Sequence, residues 1–304
     1  MTTLLRKGLT SLAVALVLTL IVFLLLHGSG DLAVQLAGEN ATREQIEALR
    51  KQHGLDQPLP VQYGRWIAGV VRGDLGQSAY IAASVGELIA TGLPNTLRLS
   101  VLAMLFALLL ALPLGIAAAA RPGGWIDRLA MAVAVTGQAI PTFWMGLMLI
   151  FLVAMTWRLA PISGSTTWAH FILPALALGY HAAPPLLRLT RTAMLDALSA
   201  DYIRTAHAKG LHPVTVLVRH AFRNALIPVI ALMSVQFGHM LSGSIITESV
   251  FAIQGIGLLA WESIKRNDIA VVQGVVVVVA GIYIALVTVA DLLAAWIDPR
   301  VRTT

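Results

Sequence analysis

RLTRTAMLDALSADYIRTAHAKGLHPVTVLVRHAFRNALIP, residues 188–228, is the stretch that decides how this chain is built. It is a polar run of about forty residues between two apolar segments, each with the composition of a bilayer span. Six basic residues (Arg188, Arg191, Arg204, Lys209, Arg219, Arg223) stand against two acids, Asp196 and Asp201. Short loops rich in Lys and Arg stay inside during insertion, so this one is expected on the cytoplasmic face. Thr192 to Lys209 reads as a helix, because Met194, Leu195, Leu198, Tyr202 and Ile203 recur at three- and four-residue intervals. Asp196, Ser199 and Arg204 fall on its other faces. Gly210 takes the left-handed conformation at low cost and suits the helix C-terminus. Pro213 fits the first turn of a second helix, where a missing N–H is harmless. The pattern predicts a compact helical knob that a membrane bundle presents to a soluble partner. The alternative is an ordinary loop lying on the lipid surface.

The composition around it agrees. The 304 residues are 58% hydrophobic and 12% charged, and the mean hydropathy is +0.80. Soluble domains carry roughly 25% charged residues, so the chain is read as an integral membrane protein. The absence of cysteine excludes a disulfide framework, a thiol nucleophile and a thiolate metal site. The net charge of +6 is not a nucleic-acid signature, because the positive residues flank apolar segments. Six segments are long and apolar enough to be expected as transmembrane helices: about 9–27, 96–120, 129–156, 171–187, 225–247 and 275–297. The fourth is short and carries Pro174, Pro184 and Pro185. The first, after Arg6 and Lys7, exceeds the apolar core of a signal peptide and lacks a small-x-small cleavage site, so a retained anchor is expected. With both termini inside, the cytoplasmic segments hold twelve basic against four acidic residues and the external ones nine of each. That is the positive-inside asymmetry.

The external segment 28–95 is long for a connector. Thr42 caps a helix from 42 to 52 with Gln45 completing a capping box, Glu47 faces Lys51 four residues on, and Gly54 ends it. Trp66, Ile67, Val70 and Val71 suggest a second, amphipathic helix at the membrane surface.

Several strings carry a resemblance. Ala206 and Gly210 have the spacing of the E-A-A-x-x-x-G coupling loop of ABC importer permeases, with Arg204 and Thr205 at its first two positions. Pro228 follows Gly210 at eighteen residues instead of the usual thirteen. Asp201-Tyr202-Ile203-Arg204-Thr205-Ala206, Ala208-Lys209-Gly210-Leu211, His220-Ala221 and Arg223-Asn224-Ala225 resemble the dipeptide/oligopeptide/nickel permease family. So do Gly54-Leu55-Asp56, Gln62-Tyr63, Gly73-Asp74-Leu75-Gly76 with Ser78, Pro141 with Phe143-Trp144, and Ile172-Leu173-Pro174. Further along come Glu248 with Phe251, Gly255-Ile256-Gly257, Val271-Val272-Gln273-Gly274, Asp291-Leu292-Leu293 and Asp298-Pro299-Arg300. Gly30-Asp31 lacks the flanking prolines usual there, and Ile253-Gln254 replaces an aromatic-Pro pair. The chain is similar to the first of that family's two permeases.

The resemblance implies an all-α integral membrane fold, the type I ABC importer transmembrane domain with six spans. Residues 1–94 would form the first span and the external helical segment. Residues 95–297 would form the permease domain, carrying the coupling loop 188–224, and 298–304 a cytoplasmic tail. It implies a bacterial inner-membrane permease subunit, not an enzyme, for import of di- or oligopeptides, with nickel, a metal chelate or a glutathione-like solute as the alternative cargo. The four lysines (Lys7, Lys51, Lys209, Lys265) are followed by Gly, Gln, Gly and Arg, so no Gly-Lys-Ser/Thr phosphate loop exists in this sequence. The implied partners are two ATPase subunits carrying ATP and Mg, a second permease, an external solute-binding protein and the lipid bilayer, with no cofactor in the chain itself. The implied ATPase contact is Asp201, Tyr202, Arg204, Thr205, Ala206, Lys209, Gly210 and Leu211.

Polar residues inside spans mark the expected pathway: Gln138, His181, Gln236, His239 and Ser242. For the two histidines a helix–helix hydrogen bond is the first reading, pore lining the second and a metal site the third, since one histidine pair is thin. Small residues Gly238, Ser242, Gly243 and Ser244 would let another helix approach. Glu248, Gly255 and Gly257 are expected near an external gate. An ion-coupled carrier or intramembrane enzyme fits less well, since the acids cluster at span ends and neither His-Glu-x-x-His nor Gly-x-Ser-x-Gly is present.

Overall fold

The computed structural model describes residues 13–24, 28, 32–37, 41–52, 54–81 and 83–297. Arg6, Lys7, Gly30-Asp31 and the tail 298–304 lie outside the described residues, as does the side chain of Asp291. Among the described residues the structure is helical, with one isolated bridge between Gln77 and Ser84. In chain order the helices are α1 (Ala13–Leu24), α2 (Leu32–Ala37), α3 (Arg43–Gln52), α4 (Leu59–Val71), α5 (Val85–Ala120), α6 (Trp125–Ala139) and α7 (Thr142–Leu149). They continue as α8 (Ile172–Ser199), α9 (Asp201–Ala208), α10 (Pro213–Thr215), α11 (Phe222–Phe251), α12 (Ile256–Lys265) and α13 (Ile269–Ile297). Short π-helical pieces, Ile150–Thr156 and Val216–Ala221, extend α7 and join α10 to α11.

The described part of each of the six expected spans falls on helical structure, but not all as drawn from sequence. Val85–Ala120, Pro213–Ser242 and Ile269–Ala290 are long and apolar enough to cross a membrane unaided. The third expected span, 129–156, is not one helix: Trp125–Ala139 and Thr142–Thr156 meet at 99°. The cause is local. Ile140 precedes Pro141, and a residue before proline is pushed out of the helical region; it sits at φ −87°, ψ 119°. The fourth, on α8, is diluted by His181, Pro184, Pro185 and Arg188 and is not among the helices apolar enough by themselves. Yet α8 runs unbroken through both prolines for 28 residues. The prolines deprive Tyr180 O and His181 O of their intrahelical donors, and Gln236 Nε2 of α11 donates to the adjacent Ala182 O at 3.3 Å. α5 starts eleven residues before the expected 96. It is entered through an Asx-type turn, Asp74 Oδ1 accepting from Gly76 N, followed by Ser84 and Glu87 in a reciprocal cap.

The chain divides into two compact units. One holds the residues up to Pro94 together with Gln254–Ile284. Here α3 opens with the expected capping box, Gln45 N donating to Thr42 Oγ1 and Thr42 N to Gln45 Oε1. Gly54, at φ +67°, ends the turn after α3 as the sequence required. The intrahelical ion pair is Arg50 with Glu47 at 3.5 Å, not the expected Glu47 with Lys51. Ser78 Oγ donates to Asp268 Oδ2 at 2.5 Å across 190 residues. A core of Val85, Ile89, Ile256, Ala260, Val271 and Val275 closes this unit.

The other unit holds Asn95–Ile253 with the chain from Ala285. Its core threads Leu99, Ala103, Ala107 and Ala111 of α5 past Ala130 and Ala134 of α6, Leu178, Ala182 and Leu186 of α8, and Val229 and Met240 of α11. In lipid there is no hydrophobic drive between helices, so contact depends on close packing, and alanine and glycine permit it. Gly179 shows how close: a Cβ there would lie 2.4 Å from Ala103 O. In the small-residue run of α11, Gly238 and Ser244 are buried and Ser242 is exposed.

Candidate coupling knob and translocation cavity

The polar stretch folds as a knob, though its first helix is broken. The expected helix over 192–209 is the end of α8 plus α9, separated by Ala200 in extended backbone at ψ 150°. No glycine or proline stands at the break. It redirects the chain so that Ile203 and Ala206 of α9 pack with Met194 and Ala197 of α8, together with Ala119, Val216, Ala221 and Ala225. Gly210 follows α9 at φ +70° and Pro213 begins α10, both as the sequence indicated. His212 caps that turn, its Nδ1 accepting from Val214 N. Tyr202 Oη accepts from Asn224 Nδ2 at 2.9 Å, joining α9 to α11.

Of the eight residues expected at the coupling surface, Ala206 is buried at 6% exposure and belongs to the knob's own core. Asp201, Tyr202, Arg204, Thr205, Lys209, Gly210 and Leu211 are exposed. Arg204 and Asp201 pair at 3.3 Å in open solvent, where such pairs contribute little. Exposed Tyr202, Leu211, Val214 and Val218 add apolar area beside these charges.

Two basic residues read only as topology have specific partners. Arg191 Nε donates to Asp127 Oδ1 at 2.6 Å and Nη2 to Oδ2 at 2.8 Å, while Gly123 N donates to Oδ2 at 2.8 Å. Asp127 is 5% exposed. The Arg191 hydrogen bonds, then the Gly123 amide, lower its pKa to about 2. Arg188 Nη1 donates to Gln138 Oε1 at 2.8 Å. Neither tie was legible in the sequence, because 64 and 50 residues separate the partners.

Gln138, His181, Gln236 and His239 line one cavity of about 650 Å³ with Thr142, Leu178, Ala182, Pro185, Met240 and Ile246. α6, α7, α8 and α11 all contribute. Ser242 is not among the lining residues; its hydroxyl donates to Gly238 O. Gly137 sets the spacing of α6 against α8, since a Cβ there would lie 2.7 Å from Pro184 Cγ. Neither imidazole has a hydrogen-bond partner among the described residues, which leaves both free toward the cavity. No group of three or more metal-ligating side chains occurs among the described residues.

None of the residues expected at an external gate is among those lining that cavity. Glu248 is 0% exposed and accepts from Thr96 Oγ1 at 2.7 Å. Gly255, extended at φ −110°, is the N-cap of α12, and Gly257 is buried in its first turn. Gly92 meets this cap closely: a Cβ there would be 3.1 Å from Gly255 C.

Comparison with known proteins gives one answer along the whole chain. Residues 111–303 match the family described as binding-protein-dependent transport system inner membrane component, and residues 1–100 match its N-terminal region. The chain is 36% identical to the probable peptide ABC transporter permease protein y4tP of Sinorhizobium fredii, over 98% of each chain. It is 41% identical to the glutathione transport system permease protein GsiC of Salmonella paratyphi A, again over 98% of each. Among solved structures, the inward-facing MetNI methionine ABC transporter matches with TM-score 0.59 at 17% identity, over 69% of this chain and 96% of that one. An amino acid ABC transporter crystallised with histidines matches with TM-score 0.50 at 18% identity, over 70% and 94%. These structures share the fold: it is that of ABC importer transmembrane subunits.

Proposed function

Because this chain belongs to the family of binding-protein-dependent transport system inner membrane components, we propose that it forms half of the pathway by which an ATP-driven importer moves short peptides inward. The observation that carries the cargo class is the cavity of about 650 Å³. Two amides and two imidazoles punctuate an apolar wall there, a lining that can hydrogen-bond successive peptide groups without fixing a side chain. Relatives named for peptide and for glutathione transport support the same class, since both solutes are peptide-bonded. Glutathione is the second reading, favoured by the 41% identity to a permease of that name.

In this reading a second homologous permease completes the pathway and an external solute-binding protein delivers cargo. Two separate ATPase subunits bind ATP and Mg and dock on the exposed face of the knob, where Asp201, Tyr202, Arg204, Thr205, Lys209, Gly210 and Leu211 stand. Closure of the ATPases moves α9 and the end of α8. Because Met194 and Ile203 share one packed core, that displacement passes into the bundle as a rigid shift. Cargo crosses because the two states bind it differently. Gln138, His181, Gln236 and His239 face it on the way, and Glu248, Gly255 and Gly257 belong to the external closure. Both termini and the knob lie on the cytoplasmic side of the inner membrane.

The test is a mild-detergent pull-down of the full chain from native membranes, with mass spectrometry of proteins and small molecules retained. Recovery of a second permease, ATPases and a peptide-loaded binding protein supports the proposal. The same assembly loaded with nickel or a metal chelate overturns the cargo class. Recovery of the chain alone, under conditions that preserve known complexes, overturns the coupling assignment.

A further inference from the structure

α8 carries two arginines, and the structure neutralises only one of them. Arg191 donates twice to Asp127, at 2.6 and 2.8 Å, and that carboxylate takes a further hydrogen bond from Gly123 N. Arg188, one turn earlier, forms no ion pair among the described residues. Its Nη1 donates instead to Gln138 Oε1 at 2.8 Å, and Gln138 belongs to the wall of the cavity of about 650 Å³. A guanidinium on a membrane bundle without a carboxylate is costly, and such residues mark the paths of ligands.

The helix places Arg188 with the cavity. His181 and Pro185 line it, and Arg188 follows them by seven and three residues on a helix that runs unbroken through both prolines. Those spacings put all three on one face of α8. Arg188 therefore continues the lining face by one turn, toward the knob. Its side chain and that of Gln138 are both exposed, so a solute can reach the pair.

The hydrogen bond decides what the pair offers. Arginine has no acceptor, so the Gln138 atom that faces it must be the oxygen. Gln138 Nε2 keeps both hydrogens to give and has no acceptor among the described residues. Apart from the committed oxygen, every polar atom of the pair is a donor, and one of the two groups is cationic. No acidic residue lines the cavity. The complement is an anion that only accepts, and a carboxylate fits because a guanidinium can hold both of its oxygens through charge-assisted bonds.

We propose that Arg188 and Gln138 form the station at which the cavity reads a free carboxylate on its cargo. This rests on the reading that the cavity conducts peptide-bonded solutes. Every unmodified peptide ends in a carboxylate whatever its side chains, so one fixed cation serves a pathway open to many sequences. Glutathione carries a second carboxylate, and a bare divalent cation is repelled by the same group. Arg188 is thus a specificity-determining residue that acts through the charge of the solute.

The test is uptake into proteoliposomes by the full importer, with dialanine and its C-terminal amide as cargo. The acid-to-amide uptake ratio is divided by the ratio of their affinities for the isolated binding protein, which removes that protein's own preference. Wild type is expected to favour the acid roughly tenfold on this scale, the effect of one hydrogen bond to a charged group. Arg188→Gln can still donate to Gln138 but loses the charge, and should bring the corrected ratio close to unity. Arg188→Lys keeps the charge without the fork and should fall between the two. It carries the test alone if Arg188→Gln does not assemble. A corrected ratio close to unity in wild type, or one unchanged by the Arg188 variants, overturns the proposal and leaves peptide transport through the cavity standing. If wild type takes up neither peptide, the proposal falls together with the reading beneath it.

Discussion

Arg191 grips Asp127 with two parallel hydrogen bonds, at 2.6 and 2.8 Å, between the C-terminal part of α8 and the first turn of α6. Bidentate guanidinium–carboxylate pairs fix orientation as well as distance, so the base of the knob cannot rotate independently of the turn at Gly123. Thr190, beside Arg191, packs where a Cβ on Gly115 of α5 would lie 2.8 Å from it, which pins the same point from the opposite side.

Breaking this pair is therefore expected to loosen the route from knob to bundle. Asp127→Asn leaves Arg191, only partly exposed, without its counter-charge, and should cost about 3 kcal/mol. Arg191→Lys keeps the charge and loses the second bond, so its cost should be smaller. Thermal unfolding in detergent measures both. The pH dependence has a definite sign. The folded pKa of Asp127 is lowered from 3.8 to about 2, so its contribution is present above the unfolded value and is lost as pH falls through that window. Asp127→Asn should lack that acid-dependent component.

At Gly210 the backbone, not space, sets the constraint. The residue lies at φ +70°, and a Cβ there would meet no atom within 4 Å. A β-branched residue in this conformation costs roughly 1–2 kcal/mol, whereas asparagine tolerates it. Gly210→Val should insert normally yet lower ATP-driven uptake in proteoliposomes roughly tenfold, equivalent to about 1.4 kcal/mol of lost coupling. Gly210→Asn should stay near wild type. Normal uptake by Gly210→Val would remove the turn from the coupling route.

Packing of α5 on α8 gives a prediction of another kind. Gly179→Ala puts a methyl 2.4 Å from Ala103 O, a backbone atom that cannot swing aside. The helices must separate, and overpacking of this sort costs about 1–3 kcal/mol. Gly281→Ala, with nothing within 4 Å, is the matched control. A lower melting temperature for the first and not the second is the expected outcome.

These cases show which features a sequence exposes. The capping box of Thr42 and Gln45 and the left-handed turns at Gly54 and Gly210 are local, set by residues three or four apart, and they were legible. The bend before Pro141 also had a local signal in the residue preceding proline, but proline inside a span can be tolerated, as Pro184 and Pro185 of α8 show. Only the neighbouring helices decide between those outcomes. The break at Ala200 has no local signal at all. It exists because Ile203 and Ala206 are buried against Met194, a choice made by tertiary packing. The Arg191–Asp127 pair is invisible for the same reason, since charge counting places both residues on one side of the membrane without bringing them together.

The cavity separates residues that sequence had grouped. Gln138, His181, Gln236 and His239 line it, whereas Ser242 does not. His181→Ala and His239→Ala should each reduce peptide uptake several-fold, the loss of one hydrogen bond worth about 1 kcal/mol. Neither change should alter thermal stability, because both imidazoles are exposed and unbonded among the described residues. Ser242→Ala should leave uptake unchanged. Gln236→Leu differs from all three: its amide also holds Ala182 O, so uptake and stability should fall together. Uptake at several peptide concentrations, measured beside melting temperature, distinguishes these patterns. If Ser242→Ala matched the histidine variants, the cargo would be passing along another face of α11, and the cavity between α6, α8 and α11 would lose its assignment.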